Sequence, residues 1–253
     1  MIPEFPLYVF TLLAGLAAGV YVFAPFVKGE QEGKNMRIGL PATCLVLLAI
    51  GAVALLTHLG HPERALNAFS NPSAGITLEA YASVPFGLLV VANLVLALMK
   101  KGRNKALEIV TAVFGVILLV AMGYAYFNLV GVAAWASWLT FPMFIVASLA
   151  IGAHLVAALN PLAAKTRQFQ MMCIVMDVLT AVVFAAELIP FSSLGMSIAL
   201  FVVSIVAAVV AVVLGAMRMR AAKLPEWIDW ATFVLMFVSV AIARYGFYAA
   251  YMI

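Results

Sequence analysis

The sequence predicts an all-α integral membrane protein, a single domain of eight transmembrane helices. Hydrophobic residues make up 67% of the 253 residues and charged residues only 9%, whereas soluble domains average about 25% charged residues. Apolar runs of roughly 20 residues, each long enough to cross a hydrocarbon core of about 30 Å as a helix, recur along the whole sequence. Basic residues concentrate in the short connections between these runs. Together, these features favour a multi-pass membrane protein.

The eight predicted spans follow one another with short polar connections. In sequence order they cover residues 6–27, 38–59, 79–99, 107–130, 136–159, 170–190, 195–217 and 227–250. The first span is not expected to be a cleaved signal peptide, because no basic residue precedes it. No separate soluble domain is expected within residues 1–253.

The distribution of basic residues predicts the orientation in the membrane. All but two of the 14 Lys and Arg residues lie in four alternate connections, at 28–37, 100–105, 160–170 and 218–226. The two exceptions are Arg64 and Arg244. By the positive-inside rule the four basic connections are cytoplasmic, so both termini face the outer side of the membrane, which for a bacterial inner membrane is the periplasmic side. The net charge of +4 is assigned to topology and lipid headgroups rather than to nucleic acid.

The longest outward connection and its borders hold the densest group of polar residues. This segment, HLGHPERALNAFSNPSAGITLE, begins at His58, the predicted end of the second span, and ends at Glu79, the predicted start of the third. Ionisable groups at the membrane boundary are candidates for function because they are costly to place there, and histidine exchanges protons near neutral pH. Structural alternatives remain open: His58 bonded to a carbonyl, His61 on the loop surface, and Arg64 extended towards lipid phosphates.

Charged residues also occur inside the predicted spans. With a helical rise of 1.5 Å per residue, Glu187 and Arg244 both lie about 25 Å from the cytoplasmic starts of their helices. An ion pair between them would lower the cost of burying both charges. A structural Glu187–Arg244 pair is therefore predicted, in preference to a direct catalytic role.

The residues argue against an iron–sulfur cluster and bis-histidine haem, while haem held by a His/Met pair stays open. The two cysteines, Cys44 and Cys173, cannot supply the four thiolates that an iron–sulfur cluster normally needs. Bis-histidine haem is not expected, because His154 belongs to the cytoplasmic end of the fifth span and His58 to the outer side. Aromatic residues near the outer ends, including Tyr81, suit a membrane-interface belt. They would also suit the wall of a site for a flat apolar ligand.

One segment resembles a known family. His58–Asn67, HLGHPERALN, is similar to the His-Leu-Gly-x-Pro-x-Arg-Ala-x-Asn segment of the membrane anchor subunit of DMSO reductase. Weaker similarities follow in the same order along the sequence, at Glu4–Leu7, Leu78–Glu79, Ala186–Leu188 and Arg244–Tyr248. A member of the family has a glutamate a few residues before the arginine that matches Arg244. Its absence here, in Val240–Ala243, favours Glu187 as the partner of Arg244.

The resemblance implies eight spans, outward termini and an anchor without haem in a three-part respiratory complex. In that family the anchor holds an iron–sulfur subunit and a molybdopterin catalytic subunit and oxidises menaquinol. The histidine matching His58 is implicated in quinol binding and oxidation, with the glutamate matching Glu79 close to it. These properties are expectations for the present protein.

The functional prediction combines the residues and the resemblance. His58 would accept a quinol proton as a general base, and Glu79 would orient His58 or relay the proton. His61, Arg64 and Tyr81 would contact the quinol or a partner, and the 60–78 loop would dock the iron–sulfur subunit. No other catalytic centre is predicted in the sequence.

Two alternative functions remain open. One is a small transporter or channel lined by Asp177, Glu187 and Arg244, and the other is a purely structural anchor. The sequence specifies neither the quinone type nor the terminal electron acceptor.

Overall fold

The fold is a bundle of long helices, as predicted. A computed structural model describes residues 4–27, 35–58, 71, 75–99, 101–129, 131–220 and 225–252. Regular structure within these ranges is entirely helical, and eight helices are long and apolar enough to cross a membrane. The helices are α1 (Phe5–Phe23), α2 (Leu40–His58), α3 (Gly75–Leu98), α4 (Lys105–Phe127), α5 (Thr140–Leu159), α6 (Pro161–Ala164), α7 (Arg167–Ser193), α8 (Ala199–Arg220) and α9 (Trp227–Ala249).

The helix boundaries differ from the predicted spans by at most four residues, and the difference before α3 is the one that moves a predicted site residue. This helix begins at Gly75 rather than at Glu79, so Glu79 lies about one helical turn inside α3 instead of at its start. Most of the predicted docking loop, including His61 and Arg64, lies outside the described residues. Within this loop the structure describes Asn71 and residues 75–78. Residues 75–78 form the first turn of α3.

Side-chain caps start several helices after the basic connections. The Asn104 side chain accepts a hydrogen bond from the Leu107 N–H at 3.1 Å at the start of α4. Asn160 caps the short helix α6 in the same way, and the Thr166 hydroxyl accepts from the Phe169 N–H at 3.4 Å at the start of α7. Each cap satisfies a backbone donor that the helix itself leaves unpaired.

The long helices form two groups of four with the same packing pattern. In the first half (α1–α4), each helix packs against the next and α4 returns to α1. In the second half (α5–α9), α5, α7, α8 and α9 pack in the same cyclic order. The two halves meet along α1 and α5, which are the most buried spans.

The α1–α5 contact depends on two glycines. A Cβ atom at Gly152 would overlap the backbone of Gly19, and a Cβ atom at Gly19 would overlap the Ser148 carbonyl. Small residues allow such close approach of transmembrane helices, where van der Waals packing drives association. Gly19 and Gly152 therefore set the distance between the two halves.

The two ends of the bundle differ in chemistry. Glu4, His58 and Tyr251 line one cavity. The N-terminal end of α1 and the C-terminal end of α9 therefore lie at the same end of the bundle, here called the His58 end. Described basic residues of the connections, such as Arg103 and Lys165, lie at the opposite end, here called the basic end. There Arg103 Nη2 donates to the Ala24 carbonyl at 2.7 Å. Which compartment each end faces remains a prediction from the positive-inside rule.

Candidate functional site

A cavity of about 460 Å³ opens at the His58 end of the first half. Its ionisable lining comes from the N-terminal ends of α1 and α3 and the C-terminal end of α2. Its aromatic lining comes from the end of α4, the connection between α4 and α5, and the turn after α9. The ionisable residues are Glu4, His58 and Glu79, and the aromatic residues are Tyr126, Trp135 and Tyr251. The cavity therefore combines proton acceptors with a flat apolar wall.

His58 faces a carboxylate that sequence reasoning did not select as a site residue. Its Nε2 atom lies 3.6 Å from Glu4 Oε2, and 31% of the His58 side chain is exposed. This distance is too long for a hydrogen bond, but it places the Glu4 carboxylate beside the imidazole in the cavity that both residues line. Glu4 could have been found from two signals: it precedes the first span on the same side as His58, and it begins the Glu4–Leu7 similarity.

Glu79 lines the same cavity but is more deeply placed than predicted. Only 2% of the residue is exposed, because α3 begins one turn earlier and carries Glu79 into the bundle. Its Oε1 atom has no hydrogen-bond partner among the described residues. Since a buried polar atom without a partner is costly, this oxygen is available to a hydroxyl group of a bound ligand.

The aromatic wall of the cavity is held by stacking and hydrogen bonds. The Tyr126 ring stacks on Phe144 with centroids 5.0 Å apart, and the Trp135 ring stacks on Phe247 at 5.1 Å. Trp135 Nε1 donates to the Phe247 carbonyl at 2.8 Å. The Tyr126 ring also meets the Tyr248 ring edge-on, with centroids 5.2 Å apart. These contacts fix the ring planes before any ligand binds.

Arg244 contacts Phe144, on which the Tyr126 ring stacks. It does not form the predicted ion pair with Glu187. The fully buried guanidinium donates to the Thr11 and Phe144 carbonyls and, at 2.6 Å, to Ser148 Oγ. Its central carbon lies 4.9 Å from the centroid of the Phe144 ring, a cation–π contact. Arg244 thus joins α9 to α1 and α5.

Glu187 is also fully buried, but it lies elsewhere in the second half. Neither of its carboxylate oxygens has a hydrogen-bond partner among the described residues. The predicted Glu187–Arg244 pair is therefore corrected: equal depth along two helices does not make their side chains face each other. Arg244 points towards α1 and α5, whereas α7, which carries Glu187, packs chiefly on α5 and α8.

The remaining predicted residues lie away from the cavity or outside the described ranges. Tyr81 lines a separate groove of about 620 Å³ between α3 and α4, and 43% of the residue is exposed. His154, towards the basic end of α5, places its Nε2 atom 2.8 Å from Asp177 Oδ1. His61 and Arg64 lie outside the described residues. The structure thus brings His58 and Glu79 to one cavity, together with Glu4.

Comparison with known proteins identifies similar membrane subunits. Residues 1–252 match the family described as DMSO reductase anchor subunit (DmsC). The protein is 29% identical over 144 residues to the C subunit of anaerobic dimethyl sulfoxide reductase from Haemophilus influenzae, covering 54% of this protein and 51% of the relative. It is 31% identical over 142 residues to the corresponding C subunit from Escherichia coli, covering 53% and 50%. These matches span about half the length of the curated relatives.

Proposed function

The protein belongs to the DMSO reductase anchor subunit family (DmsC), and on that premise we propose that it oxidises a quinol in the cavity beside His58. The observation that carries this proposal is the meeting of His58, Glu4 and Glu79 at a cavity with an aromatic wall. In this proposal the protein is the multi-pass anchor of a respiratory complex in a bacterial inner membrane. Menaquinol is its expected substrate.

The cavity suits the size and chemistry of a quinol ring. Its volume of about 460 Å³ lies within the range of about 300–1,000 Å³ that is usual for ligand sites. A flat ring would lie against Tyr126 and Trp135, with its hydroxyl groups directed to His58 and Glu79. Leu7, Ile76 and Leu129 supply apolar surface around the ring.

Quinol oxidation breaks two O–H bonds and releases two protons and two electrons. In the proposed step, His58 accepts one proton as a general base, and Glu4 stabilises the imidazolium and holds its orientation. Glu79 accepts the second proton on its unpartnered oxygen. The sequence predicts that Glu79 orients His58 or relays the proton; the 3.6 Å Glu4–His58 approach favours Glu4 for the orienting role.

The electrons must leave to a partner. An iron–sulfur subunit docked over the 60–78 loop would accept them and pass them to a molybdopterin catalytic subunit. Both protons would leave from the His58 end, on the side where this subunit docks. With protons and electrons leaving on one side, the step moves no net charge across the membrane.

His58→Ala in the assembled complex tests this proposal. Quinol-driven turnover should fall by about 100-fold or more, the usual contribution of a positioned general base. Turnover driven by an artificial donor that reduces the iron–sulfur subunit directly should persist, because that route bypasses the cavity. His61→Ala removes the other histidine of the same sequence segment; it is the matched control and should stay close to wild type.

The same experiment separates quinol oxidation from a purely structural anchor. If His58→Ala retained full quinol-driven turnover, the site assignment would be wrong although the family would stand. Parallel loss of both activities would instead indicate failed assembly, and His58→Gln would then be compared as the less disruptive variant.

A further inference from the structure

We propose that the basic end of the second half binds the phosphate-bearing headgroup of an anionic phospholipid. A groove of about 530 Å³ lies there between the start of α7 and the end of α8. It is lined by Lys165, Arg167, Gln170, Arg218, Met219 and Arg220. This site is independent of the quinol cavity, which lies at the opposite end of the bundle.

Two of the four cations in the groove are matched by carboxylates. Arg218 Nη2 lies 2.9 Å from Asp229 Oδ2, and both side chains are nearly buried. Lys165 Nζ lies 3.0 Å from Glu226 Oε1 in an exposed pair. Both carboxylates come from the start of α9 or the residue before it.

The other two cations, Arg167 and Arg220, have no such match. Both side chains are exposed, and neither forms an ion pair or side-chain hydrogen bond with a described residue. Two guanidinium groups at one groove suit a phosphodiester, which accepts paired N–H donors from arginine. An anion is therefore the complementary occupant.

The surroundings of the groove favour a lipid over a soluble anion. Further along the same two helices, exposed apolar side chains continue into the membrane-spanning region, with Met171 and Val175 on α7 and Val213 and Met217 on α8. Trp227, at the start of the neighbouring helix α9, is 65% exposed, and tryptophan is typical of the headgroup level. Positive charge above apolar surface matches a charged headgroup above its acyl chains.

At the corresponding end of the first half, Arg103 is paired with a carboxylate. Arg103 there donates to both oxygens of Glu108, at 2.6 and 2.7 Å, as well as to Ala24. The space beside it is only about 10 Å³. Arg103 is thus matched by a carboxylate, whereas Lys101 and Lys105 are exposed basic residues of the first half.

This contrast supplies a matched control for the experiment. The Arg167→Gln/Arg220→Gln variant removes two charges from the groove, and the Lys101→Gln/Lys105→Gln variant removes two exposed charges from the first half. The complex would be purified in detergent and titrated with phosphatidylglycerol, phosphatidylcholine or inorganic phosphate, with bound lipid counted by native mass spectrometry. Thermal unfolding of each variant would monitor folding.

Phosphatidylglycerol should bind to wild type and to the lysine control with similar affinity. The arginine variant should bind it about 25-fold more weakly, since each basic residue near a membrane surface contributes roughly fivefold. Phosphatidylcholine and inorganic phosphate should bind weakly to all three proteins. If the double variant does not assemble, Arg167→Gln and Arg220→Gln singly should each give about the fivefold loss.

Three outcomes would overturn the proposal. Equal weakening in the arginine and lysine variants would indicate general surface attraction, and unchanged binding in the arginine variant would place the lipid elsewhere. Displacement of the lipid by inorganic phosphate at equal concentration would identify a soluble-anion site instead.

Discussion

The two halves share one packing pattern but place their charged residues differently. In the first half, the charged residues within the described ranges lie at or near the helix ends, and the middle is filled by apolar side chains such as Phe86, Val90 and Leu118. In the second half, α7 buries Asp177 and Glu187 well inside the bundle. The same four-helix arrangement can therefore open its charged groups to a cavity or enclose them.

The candidate site lies where the two halves of the bundle are in contact. The first half supplies the ionisable groups, and the aromatic wall comes from α4, the α4–α5 connection and the turn after α9. Phe144 and Phe247 of the second half stack against this wall. Arg244, a second-half residue, bonds to the Thr11 carbonyl of the first half and to Ser148 of its own half. The contact between the halves is thus part of the site, and it is where the largest effects are expected.

Arg244→Met tests that contact most severely. The change removes charge-assisted hydrogen bonds to α1 and α5, each worth about 1.5–3 kcal/mol, so a loss of about 3 kcal/mol or more is expected. Thermal unfolding in detergent would measure it. Arg244→Lys, which keeps the charge without the planar donor group, should fall between wild type and Arg244→Met.

Among the described residues of the first half, Glu4 is the carboxylate nearest to His58. Glu4→Gln removes the carboxylate 3.6 Å from His58 while keeping the size of the side chain. Quinol-driven turnover should fall by about 10- to 100-fold, as for other groups that orient and stabilise a functional histidine. Unfolding temperature and artificial-donor turnover should not change; a matching loss of artificial-donor turnover would contradict a role confined to the cavity.

Glycine substitutions test the close approach of the halves. In Gly152→Ala the new methyl group would overlap the Gly19 backbone, and such overpacking typically costs about 1–3 kcal/mol. Gly87→Ala is the matched control, because a Cβ atom there has open space. Since alanine favours helix by up to about 1 kcal/mol, Gly87→Ala should be neutral or stabilising. Equal effects at the two sites would mean that the α1–α5 distance is not tightly set.

The eight spans could be predicted because apolar length alone defines a membrane helix. The facing of each helix could not, because a side chain turned to lipid is as apolar as one turned to the core. For example, Val90 is fully buried on α3 while Leu88 is 66% exposed. The depth of Glu187 and Arg244 followed from helical rise, but their direction did not, and this produced the incorrect ion pair.

The cavity was predictable only in part for a related reason. His58 and Glu79 stand out as ionisable residues at the borders of apolar runs. Glu4 lies before the first run, and its approach to His58 depends on the packing of α1 against α2, which no local pattern reveals. Tyr81 was selected as one of many aromatic residues, and its position on α3 turns it to another groove.

Substitution of Glu187 is expected to change the free energy of unfolding least, because the predicted pair with Arg244 does not form. Because its carboxylate has no hydrogen-bond partner among the described residues, Glu187→Gln breaks no observed contact and should change the free energy of unfolding by less than about 1 kcal/mol. Asp177→Asn, which alters the 2.8 Å contact with His154, is the matched comparison and should destabilise more. The double variant Glu187→Gln/Arg244→Met should show additive losses, as expected for residues without a shared contact. A coupling energy of about 1 kcal/mol or more in that double-mutant cycle would restore the Glu187–Arg244 interaction and contradict the separation of the two residues.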